Sequence, residues 1–256
     1  MSEQNTHKLY HLPASEHVNC TVCGLKDLCI PYGLSDDALA ELDSATKYKH
    51  KLERDESIFR AGDVATSIFA VRSGSFKTTM SNSDGAEQVT GFYLPGELVG
   101  LDGLGGNMHT CTTTALETST VCEIPADEFD QMCVNIASLR HQTMRLIGNE
   151  LSHEQHMMLV LGQMNAEERL ASFLIDLSHR FQERGFSATE FNLTMSRHDL
   201  ANYLGLAVET LSRLFSRFQE KTILKVNRRN IRILDWEVLC QIAHSECQRH
   251  KARKAE

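Results

Sequence analysis

Three observations predict an α+β chain built as an N-terminal antiparallel β-roll, a long helix and a C-terminal winged helix-turn-helix. Between Ser57 and Ile124, short β-branched and aromatic runs alternate with turn glycines. From Pro125 the apolar residues switch to helical spacing. Beyond Ser196 two short helical patterns flank a glycine and precede a hairpin pattern. At 256 residues the chain is long enough for two packed domains.

Composition narrows the class further. The chain is 41% hydrophobic and 23% charged, and no apolar run approaches the ~18 residues that a membrane span requires. The stretch from Met1 to Pro13 is polar and lacks the apolar core of a secretory signal, which predicts a cytoplasmic protein with no membrane partner. The net charge of -8 is unevenly spread: residues 1–160 carry 11 Lys and Arg against 22 Asp and Glu, whereas residues 161–256 carry 15 against 12. Between Arg197 and Arg232 eight basic residues face three acidic ones. That asymmetry suggests an acidic sensory or catalytic part joined to one that meets nucleic acid.

Taken in order, residues 1–30 form a polar arm bearing Cys20, Cys23 and Cys29, and Ser35 to Thr46 reads as a short helix. The roll occupies residues 31–137. Its turns are Arg60-Ala-Gly-Asp63, Arg72-Ser-Gly-Ser75, Asn82-Ser-Asp-Gly85 and Leu94-Pro-Gly-Glu97, at the ~8 to 12 residue spacing of a sandwich or barrel. Helical spacing then runs from Pro125 to about Met164, and residues 138–164 are read as a dimerisation helix. Arg140, Met144, Ile147, Leu151, Glu154, Met158 and Leu161 follow the alternating four and three of a heptad. A second seam, Leu139, Leu146, Met157 and Val160, lies on another side. One seam can pack on the roll while the other meets a second copy of the helix. A helix buried on both sides inside a monomer is the alternative.

Residues 165–256 form the last domain. Asn165, three residues before Glu168, starts a helix that runs to about Arg180, and Glu190 to Leu193 is strand-like. Ser196 and Asp199 cap a helix from Arg197 to Leu204 that stops at Gly205, and a second helix runs from near Val208 to about Lys221. Ala201, Leu206, Leu211 and Leu214 are its inward positions. Thr222 to Val226 and Ile231 to Leu234 alternate around Asn227-Arg-Arg-Asn230 as a hairpin wing, and Asp235 caps a final helix from Trp236.

In the second helix of the pair, Leu211, Leu214, Phe215 and Phe218 face inward and leave Glu209, Ser212, Arg213 and Arg217 outside. Arg can form a bidentate pair with guanine, Glu can accept from cytosine N4, and Ser adapts to either. Arg217, farther along, is better placed for phosphate, and Arg197 joins the set as a candidate DNA contact. The plainer alternative is that Glu209 and Arg213 form only a surface ion pair four residues apart.

Cys20, Cys23 and Cys29 give C-x2-C-x5-C in an arm with little apolar material to bury them. In a reducing compartment three thiols so close select zinc or an iron-sulfur cluster, and either ordinarily wants four ligands. The arm is therefore expected to fold over the body and find a fourth among Cys111, Cys122, Cys133, Cys240 and Cys247. Most of those five would simply be small buried hydrophobes.

The C-x2-C-x5-C arm, the glycine-punctuated roll, the long helix and the winged helix-turn-helix with Val208-Glu-Thr-Leu-Ser-Arg213 together resemble FNR, the oxygen-responsive branch of the CRP/FNR transcription regulators, over about residues 15–245. The resemblance implies that the roll is a cyclic-nucleotide-binding-like jelly roll and that Cys122, in Thr120-Val-Cys-Glu-Ile124, is the fourth cluster ligand. It implies a 4Fe-4S cluster that persists without oxygen and permits a DNA-binding homodimer, and that oxygen converts to a 2Fe-2S form with release of monomers. It further implies a cytoplasmic global regulator, activator and repressor of anaerobic metabolism genes. Such a regulator would bind double-stranded DNA at a palindrome of TTGAT-type half-sites through Glu209, Ser212 and Arg213, and it would not be an enzyme. RNA polymerase would be met by the Ser81 to Glu87 loop, with Ser81, Asp84 and Gly85, and by Arg184.

The sister branch binds cyclic AMP through a phosphate cassette in the same roll. Gly96-Glu97-Leu98 keeps the start of that cassette, but no arginine occurs between Arg72 and Arg140, and a buried phosphate without a cation is strongly unfavourable. No cyclic nucleotide is expected as a partner. Two rival readings stand beside this one. A zinc-stabilised CRP-like regulator would use the same thiols. A cupin-type metalloenzyme would need inward histidines on the strands, where His109 is the only one.

Overall fold

In the computed structural model, which describes residues 20–46 and 51–245, glycine turns cut the N-terminal chain into strands that face one another as two sheets. Cys20–Val22 forms one 3-10 turn, and α1 (Asp36–Ala45) starts where the Ser35 hydroxyl accepts the Ala38 N–H. The strands are β1 (Lys51–Leu52), β2 (Ser57–Phe59), β3 (Ser67–Ser73), β4 (Phe76–Ser81), β5 (Glu87–Tyr93), β6 (Leu98–Val99), β7 (Thr112–Ala115) and β8 (Ser119–Pro125). They pair antiparallel in the orders β1-β8-β3-β6 and β2-β7-β4-β5, the roll that the turn spacing predicts. Val71, Phe76, Ala115 and Val121 fill the space inside it. Gly74 turns β3 into β4 at a φ of 77°, and a Cβ there would collide with the Ser119 side chain, so only glycine fits.

The helical stretch after Pro125 is two helices, not one. α2 (Ala126–Asn135) ends at Ile136, whose backbone is extended at φ -110° and ψ 97°, and α3 (Ala137–Gln163) restarts immediately. The break lets α2 turn Phe129 and Met132 into the same core as Leu139 of α3, together with Ile30, Leu42 and Ile68.

α3 is amphipathic in the way its two seams require. Leu139 and Val160 are buried, and Leu146 and Met157 are half-buried against the two domain cores. On the heptad seam Met144, Leu151 and Met158 are 62%, 54% and 74% exposed, an apolar stripe with no partner among the described residues. Arg140 and Glu154 are exposed on the same seam, and Ile147 and Leu161 are half-buried. Among the described residues, α3 is covered on one side only.

Beyond α3, a reciprocal capping box between Asn165 and Glu168 starts α4 (Ala166–Glu183). β9 (Glu190–Asn192) follows, then α5 (Arg197–Tyr203), α6 (Val208–Glu220), β10 (Leu224–Asn227), β11 (Asn230–Ile233) and α7 (Trp236–Ile242). The wing pairs in the order β10-β11-β9. Leu170, Leu174, Leu200, Leu204, Leu211 and Phe218 make its core. The domain docks on the roll through Phe92, Phe173 and Tyr203, whose ring centroids lie 5.0 to 6.1 Å apart. No helix among the described residues is long and apolar enough to cross a membrane.

Candidate cysteine centre and nucleic-acid interface

The arm does fold over the body, but it is not the poorly packed tail its composition suggests. Ile30 is fully buried and Cys20 nearly so, both in the core shared with α1, α2 and α3. Cys20, Cys23 and Cys29 line one cavity with Cys122, which β8 places opposite Ala70 of β3. Three thiols come from the arm and the fourth from the middle of a strand about 100 residues later, so only the roll's register can bring them together. Burial pushes the Cys20 thiol far above its ordinary range, with Asp43, Cys29 and Cys122 adding to it. Burial likewise pushes Cys29 up to about 12, opposed by a bond from the Ile30 backbone and reinforced by Cys122 and Cys23. Those mutual effects are the electrostatic mark of thiols that share a site.

The other cysteines stand apart from this cavity. Cys111 bonds to Asp102, Cys133 lies 3.8 Å from the Thr143 hydroxyl, and Cys240 is buried in the core of the C-terminal domain. Cys247 is outside the described residues. Among the described residues no three His, Cys, Asp or Glu side chains form a ready single-ion site.

The centre is fastened to α3 by contacts that composition did not point to. The buried Gln142 amide donates to the Cys29 carbonyl at 3.1 Å, and Arg145 Nε donates to Gln142 Oε1 at 2.8 Å while its guanidinium lies 4.9 Å over the Tyr32 ring. The only available signal was a glutamine on the packed side of α3 between Leu139 and Leu146.

At the other end of the molecule α6 buries Leu211, Leu214, Phe215 and Phe218 and leaves Glu209, Ser212, Arg213 and Arg217 exposed, as its spacing predicts. Arg213 and Arg217 face the shallow groove between α6 and the start of α4. Two candidates differ from expectation. The Arg217 guanidinium is ion-paired with Glu167 of α4, so it is not free for phosphate in this conformation. Arg197 lies 3.6 Å over the Phe215 ring, and burial lowers its pKa below the ordinary range; it supports α6 from beneath instead of pointing outward. On the wing, Lys225, Arg228 and Arg229 are exposed, a basic edge beside α6 that the hairpin pattern alone did not single out.

The description "Cyclic nucleotide-binding domain" matches residues 49–135, and "Crp-like helix-turn-helix domain" matches residues 168–242. The transcriptional activator protein FnrA of Stutzerimonas stutzeri is 46% identical over 90% of this chain and 94% of its own. The fumarate and nitrate reduction regulatory protein of Yersinia pestis is 46% identical over 88% of this chain and 90% of its own. The chain belongs to the FNR branch of the CRP/FNR transcription regulators. Among solved structures, FixK2 from Bradyrhizobium japonicum superposes with a TM-score of 0.70 at 28% identity, covering 76% of this chain and 96% of that one.

In this FNR-family chain Glu97 of the Gly96-Glu97-Leu98 segment is engaged from within the protein. Glu97 accepts from Arg180 at 2.6 and 3.0 Å, from Arg184 at 2.6 Å and from the Leu94 N–H at 2.9 Å. Burial alone would raise the Glu97 pKa, but the two arginines hold it below the ordinary range. Arg184 is therefore no exposed contact: its side chain is 3% accessible and also donates to the Pro95 carbonyl. The expectation that it faces RNA polymerase is corrected on that ground. Ser81, Asp84 and Gly85 are exposed on the β4–β5 turn.

Proposed function

We propose that this FNR-family regulator senses oxygen through a 4Fe-4S cluster held by Cys20, Cys23, Cys29 and Cys122, and that the cluster controls a homodimer that binds a TTGAT-type palindrome. The observation that carries this reading is the convergence of four thiols, from the arm and from β8, on one cavity. An all-cysteine set of four is the donor chemistry that iron-sulfur clusters use. Bound there by Cys20, Cys23, Cys29 and Cys122, a 4Fe-4S cluster would supply oxygen-sensitive iron–sulfur chemistry. The protein's part is mechanical. The Gln142 bond to the Cys29 carbonyl makes the arm's conformation felt at the start of α3, beside Arg140 and Met144 on the exposed seam. An arm held by all four cysteines orders that turn, and the stripe of Met144, Ile147, Leu151 and Met158 then meets its copy in a second chain. Two α6 helices are thereby brought to two half-sites, with Glu209, Ser212 and Arg213 toward base edges.

The cyclic-nucleotide alternative is disfavoured by Glu97, which is already engaged by Arg180 and Arg184. A structural zinc would use the same four thiols and is told apart by colour and by its indifference to air. The proposed partners are double-stranded DNA, RNA polymerase through the β4–β5 turn, and a second copy of the chain, in control of anaerobic metabolism genes. Purification without oxygen tests the reading. A brown, iron-loaded protein that dimerises, and that bleaches and dissociates in air, is expected. A colourless zinc protein with an air-insensitive dimer would overturn it.

A further inference from the structure

The joint between α3 and the helix-turn-helix is organised around one side chain that no motif singles out. Arg169, in the first turns of α4, donates from Nη2 to the Leu161 carbonyl, from Nε to the Met164 carbonyl and from Nη1 to the Leu204 carbonyl, each at 2.9 Å. Leu161 belongs to the last turn of α3, Met164 caps that helix, and Leu204 caps α5. Carbonyls at helix C-termini have no partner within their own helix and carry the negative end of the dipole. A planar guanidinium with donors in fixed directions can serve two such ends at once, which a flexible ammonium does not. Gly205, at a φ of 63°, leaves the approach open: a Cβ there would stand 3.2 Å from Arg169 Nη1. The arginine thus ties a residue of the heptad seam to the turn that sets the direction of α6.

We propose that Arg169 is a positioning residue that fixes each helix-turn-helix rigidly to the end of the dimer helix and so determines which half-site spacing the dimer accepts. The inference rests on the dimeric reading above. A dimer reads two half-sites about one helical turn of DNA apart, so angular slack at the joint is magnified into displacement at the base edges. A rigid joint makes the second half-site an intramolecular partner at high effective concentration, and a loose joint dilutes it over many spacings.

The test uses the full chain, purified without oxygen, as wild type, Arg169→Ala and Arg169→Lys, titrated against a duplex with one half-site and against palindromes whose spacer is native, one base pair shorter or one longer. Loss of the clamp is expected to leave single half-site affinity within about twofold while the preference for the native spacer falls by roughly tenfold or more. Arg169→Lys should restore part of the preference, and the dimer should sediment as in the wild type. Full spacer preference in Arg169→Ala, or an equal loss on the half-site and on every palindrome, would overturn the proposal. Should Arg169→Ala fail to fold, Arg169→Lys is judged by the same comparison. A wild type that itself shows no advantage on a palindrome would defeat the dimeric reading, and the inference with it, and the wild-type arm alone identifies that case.

Discussion

The cysteine centre and the recognition helix are built in opposite ways. α6 carries its outward set, Glu209, Ser212, Arg213 and Arg217, within one helical stretch whose apolar face is held by Leu211, Leu214, Phe215 and Phe218. The cysteine centre needs an arm, a strand of the roll and the Gln142 bond from α3 before its parts share a cavity. The first is a local device that tolerates change elsewhere. The second depends on tertiary structure throughout, which would suit the sensing role proposed for it.

The largest expected effect tests that dependence. Replacing any one of Cys20, Cys23, Cys29 or Cys122 by Ser should remove nearly all bound iron and anaerobic DNA binding, since three thiolates do not complete the set. Cys111→Ser, Cys133→Ser and Cys240→Ser should leave iron per chain unchanged. A fully loaded Cys122→Ser protein would break the assignment.

Next comes the seam that connects the two regions. Ile147→Glu should abolish dimers even without oxygen, because it places a charge in the apolar stripe opposite its own copy. Glu154→Ala should do the reverse, tightening the apo dimer severalfold, since in a parallel pair each Glu154 meets the other. Sedimentation over a concentration series reads both. An unchanged Glu154→Ala dimer would show that this carboxylate points to solvent.

Smaller effects are expected at α6. Arg213→Ala should cost about 1 to 3 kcal/mol and relax preference at one base position. Glu167→Ala should release Arg217 from its ion pair and raise affinity for all sequences alike, with a steeper salt dependence. Binding titrations against single-base variants at several salt concentrations separate the two.

Smallest in its effect on DNA binding is Glu97→Gln, which instead leaves two mostly buried arginines without their counter-charge and should destabilise the docked domains by about 3 kcal/mol. Glu97 ionises more readily when folded, so its contribution is complete above its ordinary value of 4.5 and disappears as the pH falls through and below it. Thermal unfolding against pH should therefore show a shallower acid limb in Glu97→Gln than in the wild type.

Residues whose role follows from their own helix or turn were legible in the sequence. The capping boxes at Asn165 and Ser196, the turn at Gly74, the inward face of α6 and both seams of α3 all follow from local spacing. The union of the arm with Cys122 came through family resemblance, because strand register decides it and local pattern does not. Arg184 and Arg197 were misplaced for one shared reason: a basic side chain near a surface element reads as exposed until a docking partner is known. Here those partners are Glu97 and the Phe215 ring. Gln142 and Arg169 were not legible from periodicity, since both act by meeting backbone carbonyls outside their own helices. The helix break at Ile136 was hidden because helical spacing continues through it on either side.

β5 is the outer strand of its sheet, and the DNA-binding domain is what closes it. The Asn202 amide donates to the Glu87 carbonyl at 2.8 Å and accepts the Val89 N–H at 2.5 Å, while its backbone carbonyl accepts from Gln88 at 2.6 Å. Asn202 thus stands in for the next strand, with Lys77 and Asp199 pinned beside it at 2.5 Å. A chain whose DNA-binding domain swings away uncovers an open ladder of backbone donors and acceptors with Val89 and Phe92 alongside, the form of surface that recruits strands from other molecules. Undocking this domain therefore carries a solubility hazard as well as a loss of control, and variants that loosen it should accumulate as aggregates at concentrations where the wild type stays dispersed.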